Sequence, residues 1–468
     1  MFIDCRLFYR LETTTFARVG LVLRLAALGS LAVPSLASAQ SDLSHVDSIV
    51  TEMLADQAIP GASLYVGTLS GRPLLARGYG FTATGGTERV TATSVFPIMS
   101  VTKPYTAAMV MQLARTGRIK LDDRIGQYLP ELPSWRDSVT IRQLLTHTGG
   151  VVSIDNLPGW RRWKDSIHTN AASVARIAKL PLAFRPGTRF AYSNSGYFIL
   201  GTLVERMEGR RYADVLRTRV LAPLGLRETM PCYVAATAGR LGSGHPVLGE
   251  SVITKPLAAI MAADSAMGPD GLCATATDVG RFMAALMRGE VAGADGLLEM
   301  RQVPAVAAND GAGAGLFRGA EGRRTIWHHS GGSMTEGVSS DAAVYPDDSL
   351  VVVVLLNADD SPTELTRRVA RAVLRIPERL VPDLPLDSTA RRKYLGVYRF
   401  GGGRTRISER NGRLFGMGQR LRYQGNDTFV PDIDRDLRIV FSTEPDGRVE
   451  RGEVLRDSSI VAPLQRLR

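Results

Sequence analysis

The chain has 468 residues, of which 44% are hydrophobic and 22% are charged, as in ordinary folded proteins. This length exceeds what one hydrophobic core usually supports, so we expect a large domain and a smaller one. The formal net charge is +11, but the arginines are spread along the chain without a zinc-finger, RRM or recognition-helix pattern. We therefore expect a solvated basic surface and no nucleic-acid partner.

The first 39 residues have the pattern of a bacterial export signal. Arg6, Arg10 and Arg18 precede an apolar run, and Ala-Ser-Ala at 37–39 forms a cleavage site of the A-x-A type. The apolar run is too short to span a bilayer as a stable helix, and no cysteine stands at the cleavage site to carry a lipid. We expect residues 1–39 to be removed and the protein to be periplasmic or secreted, with no stable membrane anchor.

A helix over residues 43–57 and a strand after it are predicted first, followed by the motif Ser-Val-Thr-Lys at 100–103. Apolar residues at positions 107, 110, 111 and 114 predict an amphipathic helix that begins at this motif. Residues three apart on a helix share a face, so the Ser100 hydroxyl and the Lys103 amine can meet. A lysine whose pKa is lowered can take the serine proton, whereas arginine cannot, although the chain has 51 arginines and six lysines.

The next candidates lie in the segment Phe-Ala-Tyr-Ser-Asn-Ser-Gly-Tyr. A phenol such as Tyr192 can relay a proton to a leaving group, and the Asn194 amide can bind a substrate carbonyl. A helix is predicted over Tyr197–Glu208 with Gly209 as its C-cap. The Ser and Asn residues fit equally well as a turn that caps this helix, and both interpretations stay open.

A third element is expected at a strand edge that offers a polar side chain and a free backbone N–H. His329, Ser330 and the glycines at 331–332 fit it, because glycine lets a substrate approach the backbone closely. A second H-x-G sequence begins at His147, but no strand follows it, and we interpret it as a structural loop.

The end of the large domain is predicted from two apolar segments. Residues 350–357 are apolar enough for a strand buried on both faces, and residues 361–376 carry a helical stripe that Pro377 ends. We expect a mixed α/β domain over 41–376, in which terminal helices and a sheet bracket a mostly helical middle.

The chain after Ile376 changes character. Residues 377–389 are proline-spaced and resemble a linker, and residues 390–468 have short β-like runs separated by Gly and Asp turns. We expect a small antiparallel β domain there. Cys232 and Cys273 could pair in an oxidising compartment, but two cysteines alone do not decide this, and no Cys/His cluster indicates a metal.

The ordered set Ser-Val-Thr-Lys, Tyr-Ser-Asn and His-Ser-Gly resembles the penicillin-recognising serine hydrolases, which comprise serine β-lactamases (especially of class C), DD-peptidases and related esterases. The resemblance covers about 45–375 and implies an antiparallel sheet flanked by N- and C-terminal helices, with a mostly helical inserted subdomain. The C-terminal segment resembles, more weakly, a lipocalin-like β-barrel domain found in some relatives.

The resemblance implies roles for these residues. Ser100 would be the acylated nucleophile, Lys103 its general base acting with Tyr192, and Asn194 a ligand for the substrate amide or carbonyl. It implies no cofactor and no metal, and a small molecule or a peptide as substrate.

On the strand side, the resemblance implies that His329 and Ser330 line the substrate site and that the backbone N–H groups of Ser100 and Gly332 form the oxyanion hole. Position 329 departs from the lysine that most β-lactamases carry there, and a neutral imidazole attracts a carboxylate less strongly. We therefore expect an exported serine hydrolase for ester, amide or D-amino-acid peptide bonds, with weak β-lactamase activity. The alternative is a penicillin-binding or cell-wall-peptide sensor that acylates slowly with little turnover.

Overall fold

The structure is a computed structural model. It describes residues 43–159, 169–248, 251–261, 267–360, 362–377, 381–400, 403–410, 412–416, 419–432, 437–456 and 459–467. The predicted export signal lies outside the described residues. Among the described residues, no helix is both long and apolar enough to cross a membrane.

Strands and helices alternate irregularly before residue 377. The strands are β1 (Gly61–Thr68), β2 (Pro73–Gly80), β3 (Phe96–Pro97), β4 (Met230–Pro231), β5 (Ser243–Gly244), β6 (Val247–Leu248), β7 (Ser251–Val252), β8 (Lys255–Pro256), β9 (Leu272–Ala274), β10 (Phe317–Glu321), β11 (Arg324–Ser333), β12 (Val338–Tyr345) and β13 (Leu350–Leu356). The helices are α1 (Ser44–Gln57), α2 (Lys103–Arg115), α3 (Ile141–Leu145), α4 (Asn170–Ile177), α5 (Asn194–Glu208), α6 (Tyr212–Leu216), α7 (Ala222–Leu224), α8 (Cys232–Thr237), α9 (Leu257–Met261), α10 (Ala276–Met287), α11 (Ala294–Arg301) and α12 (Pro362–Val373).

The main sheet has six strands in the order β10-β11-β12-β13-β1-β2, and every neighbouring pair is antiparallel. Every residue of β13 is buried, as its continuous apolar sequence predicts. Helices α1 and α12 pack together on one face, while α10 covers the other. The predicted arrangement of terminal helices around an antiparallel sheet is confirmed.

The helical middle lies between β2 and β10 and supplies much of the larger hydrophobic core. Helix α5 ends at Gly209 in a left-handed conformation with φ of 64°, as predicted. It begins at Asn194, three residues before the predicted start. Its first turn is held from outside the helix, since the Ser195 hydroxyl accepts the Ile154 N–H at 2.9 Å. A tertiary hydrogen bond of this kind leaves no local signal in the sequence.

Cys232 and Cys273 form a disulfide with their Cα atoms 4.8 Å apart. Cys273 lies in the central strand of the small sheet β3-β9-β4, where it pairs with Pro97 on one side and Met230 on the other. Because β3 leads directly into the turn that carries Ser100, the disulfide braces the sheet from which the candidate nucleophile emerges.

The C-terminal part is a closed antiparallel barrel preceded by the short helix α13 (Ser388–Arg392). Its strands are β14 (Gly396–Phe400), β15 (Gly403–Arg410), β16 (Arg413–Gly416), β17 (Gln419–Gly425), β18 (Thr428–Pro431), β19 (Leu437–Thr443), β20 (Val449–Arg456) and β21 (Ser459–Leu467). Pairing of β14 with β21 closes it, and buried aromatic side chains such as Tyr398, Phe429 and Phe441 fill its core.

Charged side chains connect the barrel to the sheet domain. Arg410 pairs with Asp360, and Arg413 pairs with Asp56. Between these pairs, the buried Glu364 of α12 shares a side-chain hydrogen bond with Asp432 of the barrel. The barrel is therefore held to the sheet domain by ion pairs and by a hydrogen bond between two carboxyl groups.

Candidate active site

Ser100 lies in a 3-10 turn, Met99–Thr102, between β3 and α2. The preceding residue, Met99, is buried and has φ of 48°, a left-handed conformation that is rare outside glycine. The turn passes straight into α2, whose first turn contains Pro104, a residue preferred there because it needs no backbone N–H. The sharp turn leaves Ser100 partly exposed while its neighbours are buried.

Lys103 is completely buried, and its Nζ donates hydrogen bonds to Ser100 Oγ at 3.0 Å and to the Pro269 carbonyl at 2.9 Å. Desolvation lowers the pKa of Lys103 to about 7, and the carboxylates of Asp270 and Asp155 oppose that shift. An amine with this pKa is substantially neutral at pH 7, so it can accept the serine proton.

Tyr192 joins this pair from the loop before α5. Its side chain hydrogen-bonds to Ser100, and the Lys103 Nζ lies 4.8 Å from the centre of its ring. Desolvation raises the pKa of the phenol, and the hydrogen bond to Ser100 partly offsets that shift. Tyr192 therefore keeps its proton at neutral pH and can donate it.

Asn194, the first residue of α5, lies beside the loop at 153–155. Its Nδ2 donates to the Asp155 carboxylate, and its backbone N–H donates to Ser153 Oγ at 3.1 Å. Because a carboxylate only accepts, the amide orientation is determined, and Oδ1 is left as a buried acceptor without a partner among the described residues. Asn194 can therefore accept an N–H from a bound molecule.

His329 lies on β11 and is 2% exposed. Its Nδ1 is 2.6 Å from the Ser330 carbonyl oxygen, so Nδ1 carries the proton and Nε2 is an acceptor. Burial, together with the nearby Lys103, holds the pKa of this imidazole well below its usual range. His329 is therefore neutral, and its ring lies 6.4 Å from that of Tyr192 and 5.2 Å from that of Phe317.

The edge of β11 beyond His328 faces the nucleophile turn. A Cβ at Gly331 would lie 2.8 Å from the Ser100 backbone nitrogen and 2.6 Å from the Ile98 carbonyl oxygen, so only glycine fits there. A Cβ at Gly332 would meet no atom closer than 3.7 Å. The close approach that was expected of the glycines is thus made at Gly331, next to the Ser100 N–H.

Ser330 is placed differently from the other candidates. It pairs with Asp341 while His329 pairs with Ala342, so alternation along the strand directs the Ser330 side chain to the opposite face from His329. The Ser330 hydroxyl is exposed, and the residue contributes its carbonyl oxygen to orient His329. The structure brings together Ser100, Lys103 and Tyr192, but not the Ser330 side chain.

Two residues of the site were not identified from the sequence. The His147 ring stacks on Tyr192 with centroids 4.3 Å apart, although we interpreted His147 as part of a structural loop. Asp155 orients Asn194, and no local motif marks it. The repeated H-x-G pattern was the one signal that could have drawn attention to His147.

The arrangement of Ser100, Lys103 and Tyr192 is suited to acyl transfer, because a hydroxyl is bonded both to a neutral amine and to a phenol that can donate a proton. Among the described residues, no group of three or more His, Cys, Asp or Glu side chains is placed to hold a metal ion.

The model of the Beta-lactamase family matches residues 46–375. The chain belongs to the beta-lactamase family. The protein is accordingly a serine hydrolase of this family. The chain is 33% identical over 278 residues to penicillin-binding protein 4 of Amycolatopsis lactamdurans, a match that covers 54% of this chain and 71% of that one. The match to penicillin-binding protein 4* of Bacillus subtilis covers 30% of that relative's length.

Solved structures share the fold over most of the chain. The octameric penicillin-binding protein homologue from Pyrococcus abyssi has a TM-score of 0.66 at 20% identity, over 90% of this chain and 99% of its own. SurE in complex with D-Leu has a TM-score of 0.55 at 25% identity, over 92% and 100%. The D-amino acid amidase from Ochrobactrum anthropi SV3 has a TM-score of 0.58 at 21% identity, over 73% and 99%.

Proposed function

We propose that this enzyme is an exported serine hydrolase that cleaves ester, amide or D-amino-acid peptide bonds through an acyl-enzyme on Ser100. The observation that carries the proposal is the buried Lys103, whose amine is bonded to Ser100 Oγ at 3.0 Å and has a pKa lowered to about 7. A base of this strength in contact with the hydroxyl is what nucleophilic attack by serine requires.

In the acylation step, Lys103 takes the hydroxyl proton while Ser100 Oγ attacks the substrate carbonyl carbon. The carbonyl electron pair moves to its oxygen, which the backbone N–H groups of Ser100 and Gly332 stabilise; donors of this kind contribute about 3 kcal/mol each. When the tetrahedral intermediate collapses, the leaving nitrogen or oxygen takes the phenol proton of Tyr192, and Lys103 returns a proton to the phenol.

Deacylation repeats these steps with water. Lys103 takes a proton from the water as its oxygen attacks the acyl carbon. The Ser100 oxygen then leaves with the phenol proton of Tyr192, Lys103 returns a proton to the phenol, and the free acid departs. The same pair of residues serves both half-reactions, because each ends with Lys103 neutral and Tyr192 protonated.

The substrate preference follows from His329 and Asn194. A neutral imidazole that offers an acceptor atom gives little attraction to a substrate carboxylate, whereas it can accept an N–H. The Asn194 Oδ1 offers a second acceptor. Neutral esters and amides are therefore favoured over β-lactams, and the names of the D-amino acid amidase and of SurE with D-Leu support D-amino-acid derivatives as a class to test.

The test compares kcat/KM for a p-nitrophenyl ester, a D-amino-acid amide and a chromogenic cephalosporin. We expect the ester or the amide to be preferred, and intact-mass spectrometry to find the acyl adduct on Ser100 and none in Ser100→Ala. A strong preference for the cephalosporin would contradict the assigned substrate class, and an adduct in Ser100→Ala would contradict the assigned nucleophile.

A penicillin-binding sensor with little turnover is the second candidate, since the relative from Amycolatopsis lactamdurans is named a penicillin-binding protein. Labelling with a fluorescent penicillin and following its release separates the two functions. Release within seconds to minutes indicates a hydrolase, and retention over hours indicates a sensor.

Export is supported by the disulfide between Cys232 and Cys273, because such bonds persist in oxidising compartments. It is also supported by the signal pattern over 1–39. N-terminal sequencing of the protein recovered from the periplasm or the medium of an expressing bacterium should begin at Gln40; recovery of the unprocessed chain from the cytoplasm would contradict export.

A further inference from the structure

His147 is bonded to the residues on both sides of Tyr192. The His147 carbonyl oxygen accepts the Ala191 N–H at 3.0 Å, and its Nδ1 accepts the Ser193 N–H at 3.1 Å. Between these two hydrogen bonds, the imidazole stacks on the Tyr192 ring with an interplanar angle of 28°. One residue thus holds the backbone before Tyr192, the backbone after it and the ring itself.

His147 makes these contacts from an unfavourable backbone conformation. Its φ is 57°, a left-handed conformation that is unfavourable for a residue with a side chain. It lies two residues after Leu145, the last residue of α3. The chain there returns hydrogen bonds to the helix, such as Thr148 N–H to the Gln143 carbonyl at 2.9 Å. Because the chain turns back here, the carbonyl oxygen and the ring of His147 both contact residues 191–193.

His147 is uncharged in this position. A backbone N–H can only donate, so Nδ1 is an acceptor and the ring proton lies on Nε2. Burial and the nearby Lys103 together lower the pKa of His147 to about 3. The imidazole therefore stays neutral throughout the range in which Lys103 titrates, and it does not compete with Lys103 for the serine proton.

Tyr192 needs such a support because its side chain is 37% exposed and turns about two side-chain bonds. Its hydroxyl has to remain on Ser100 while its ring remains near Lys103 Nζ, which lies 4.8 Å from the ring centre. His147 is itself packed against Tyr197, whose ring lies 5.2 Å from the imidazole. Tyr197 is fixed in turn, because its hydroxyl donates a hydrogen bond to the Leu145 carbonyl at 2.8 Å.

We propose that His147 is a positioning residue that holds the Tyr192 phenol in place against Ser100 and Lys103 without itself transferring a proton. The proposal rests on the proposed role of Tyr192 in acyl transfer. It gives a function to the loop that carries His147, which lies outside the motifs at 100–103, 192–194 and 329–331. It also explains why a histidine occupies this left-handed position, because glycine would be free of strain there but could not supply the ring.

The test is a double-mutant cycle between His147 and Tyr192, read out as kcat and KM for the ester substrate. We expect His147→Ala to lower kcat about 100-fold, because displacing a reacting group by about 1 Å has an effect of that size, with KM changed less than threefold. In the Tyr192→Phe background, the same substitution should lower kcat less than threefold further. Independent, multiplying effects of the two substitutions would overturn the proposal.

One further variant, His147→Phe, separates the contribution of the ring from that of the Nδ1 hydrogen bond. His147→Phe retains the stacked ring and loses the Nδ1 acceptor, and we expect it to recover at least a tenth of the wild-type kcat and the wild-type midpoint of the pH–rate profile near pH 7. If His147→Phe folds, as judged by its melting temperature, but is no more active than His147→Ala, ring positioning is refuted.

His245 supplies the matched control. It is a buried histidine that also bonds the backbone, at the Asn357 carbonyl and the Thr84 N–H, but it lies outside the site. His245→Ala should lower the melting temperature and act additively with Tyr192→Phe. If Tyr192→Phe alone leaves kcat unchanged, the role of Tyr192 and the proposal for His147 both fail, while adduct formation on Ser100 still reports separately on the proposed hydrolase.

Discussion

The candidate active site and the contact between α12 and the barrel each contain a buried ionisable side chain, and burial has a different consequence in each. Lys103 is completely buried and Glu364 is 3% exposed. Desolvation lowers the pKa of Lys103 to about 7 and raises that of Glu364 to about 8, since in each case it favours the uncharged form.

The partners of the two side chains differ. Lys103 is bonded to a hydroxyl and a carbonyl, both uncharged, so its amine is free to exchange a proton with Ser100. Glu364 hydrogen-bonds the Asp432 carboxylate, which is in turn paired with Arg422. Desolvation favours the neutral form of both groups, and for Glu364 the Asp432 carboxylate adds to that effect. The neighbours then decide whether the proton is used in chemistry or in holding two parts of the chain together.

The largest effect is expected for Lys103→Arg. Arginine cannot give up its proton, so kcat/KM for the ester should fall at least about 1,000-fold. The melting temperature should fall as well, because a larger, permanently charged side chain replaces a largely neutral amine in a completely buried position. Lys179→Arg, on an exposed position of the surface, is the matched control and should retain wild-type activity. Activity above a tenth of wild type in Lys103→Arg would show that the amine is not the base.

A pair of alanine substitutions tests how closely β11 approaches the nucleophile. Gly331→Ala places a Cβ within 3 Å of the Ser100 nitrogen and should lower kcat about 100-fold by displacing the turn. Gly332→Ala has room and should retain kcat within about threefold, because the backbone N–H that we assign to the oxyanion hole is unchanged. Equal losses in the two variants, measured by steady-state kinetics, would be inconsistent with this geometry.

The substitution His329→Lys tests whether a positive charge at position 329 changes the preferred class of substrate. An ammonium group at this position attracts a carboxylate that the neutral imidazole does not, so the ratio of kcat/KM for the cephalosporin to that for the ester should rise about tenfold. His328→Lys, one residue earlier on the other face of the strand, is a control in which the ratio should stay unchanged. If this ratio is unchanged in His329→Lys, His329 does not determine which substrate is preferred.

The smallest effect is expected at the barrel contact. Because the folded-state pKa of Glu364 lies above its ordinary value of 4.5, the folded protein holds an extra proton between about pH 4.5 and 8, and its stability falls as the pH rises through that window. Glu364→Gln should flatten the fall of the melting temperature between pH 5 and 8 by a few degrees without changing kcat. Glu409→Gln, a barrel carboxylate paired with Arg391, should keep the wild-type slope. An unchanged slope in Glu364→Gln would assign the proton to another group.

Some features could be predicted because they depend on neighbours in the chain. The spacing of Ser100 and Lys103 brings their side chains together, although Ser100 lies in a 3-10 turn just before the helix. The apolar run of β13 predicts a strand covered on both sides, and Gly209 is the C-cap of α5. The start of α5 was predicted three residues late, since its first turn depends on Ser153 and Ile154, which are distant in sequence.

The amino-acid sequence by itself determined the reacting residue types, their order and the local structures that carry them, because helical and strand periodicity act over a few residues. Only the tertiary structure decided that Lys103 is buried enough to be neutral, that His329 bears its proton on Nδ1, that Cys232 and Cys273 are bonded, and that His147 supports Tyr192. The physical reason is that desolvation, tautomer choice and ring packing depend on atoms brought together from separate parts of the chain, and no local pattern records them.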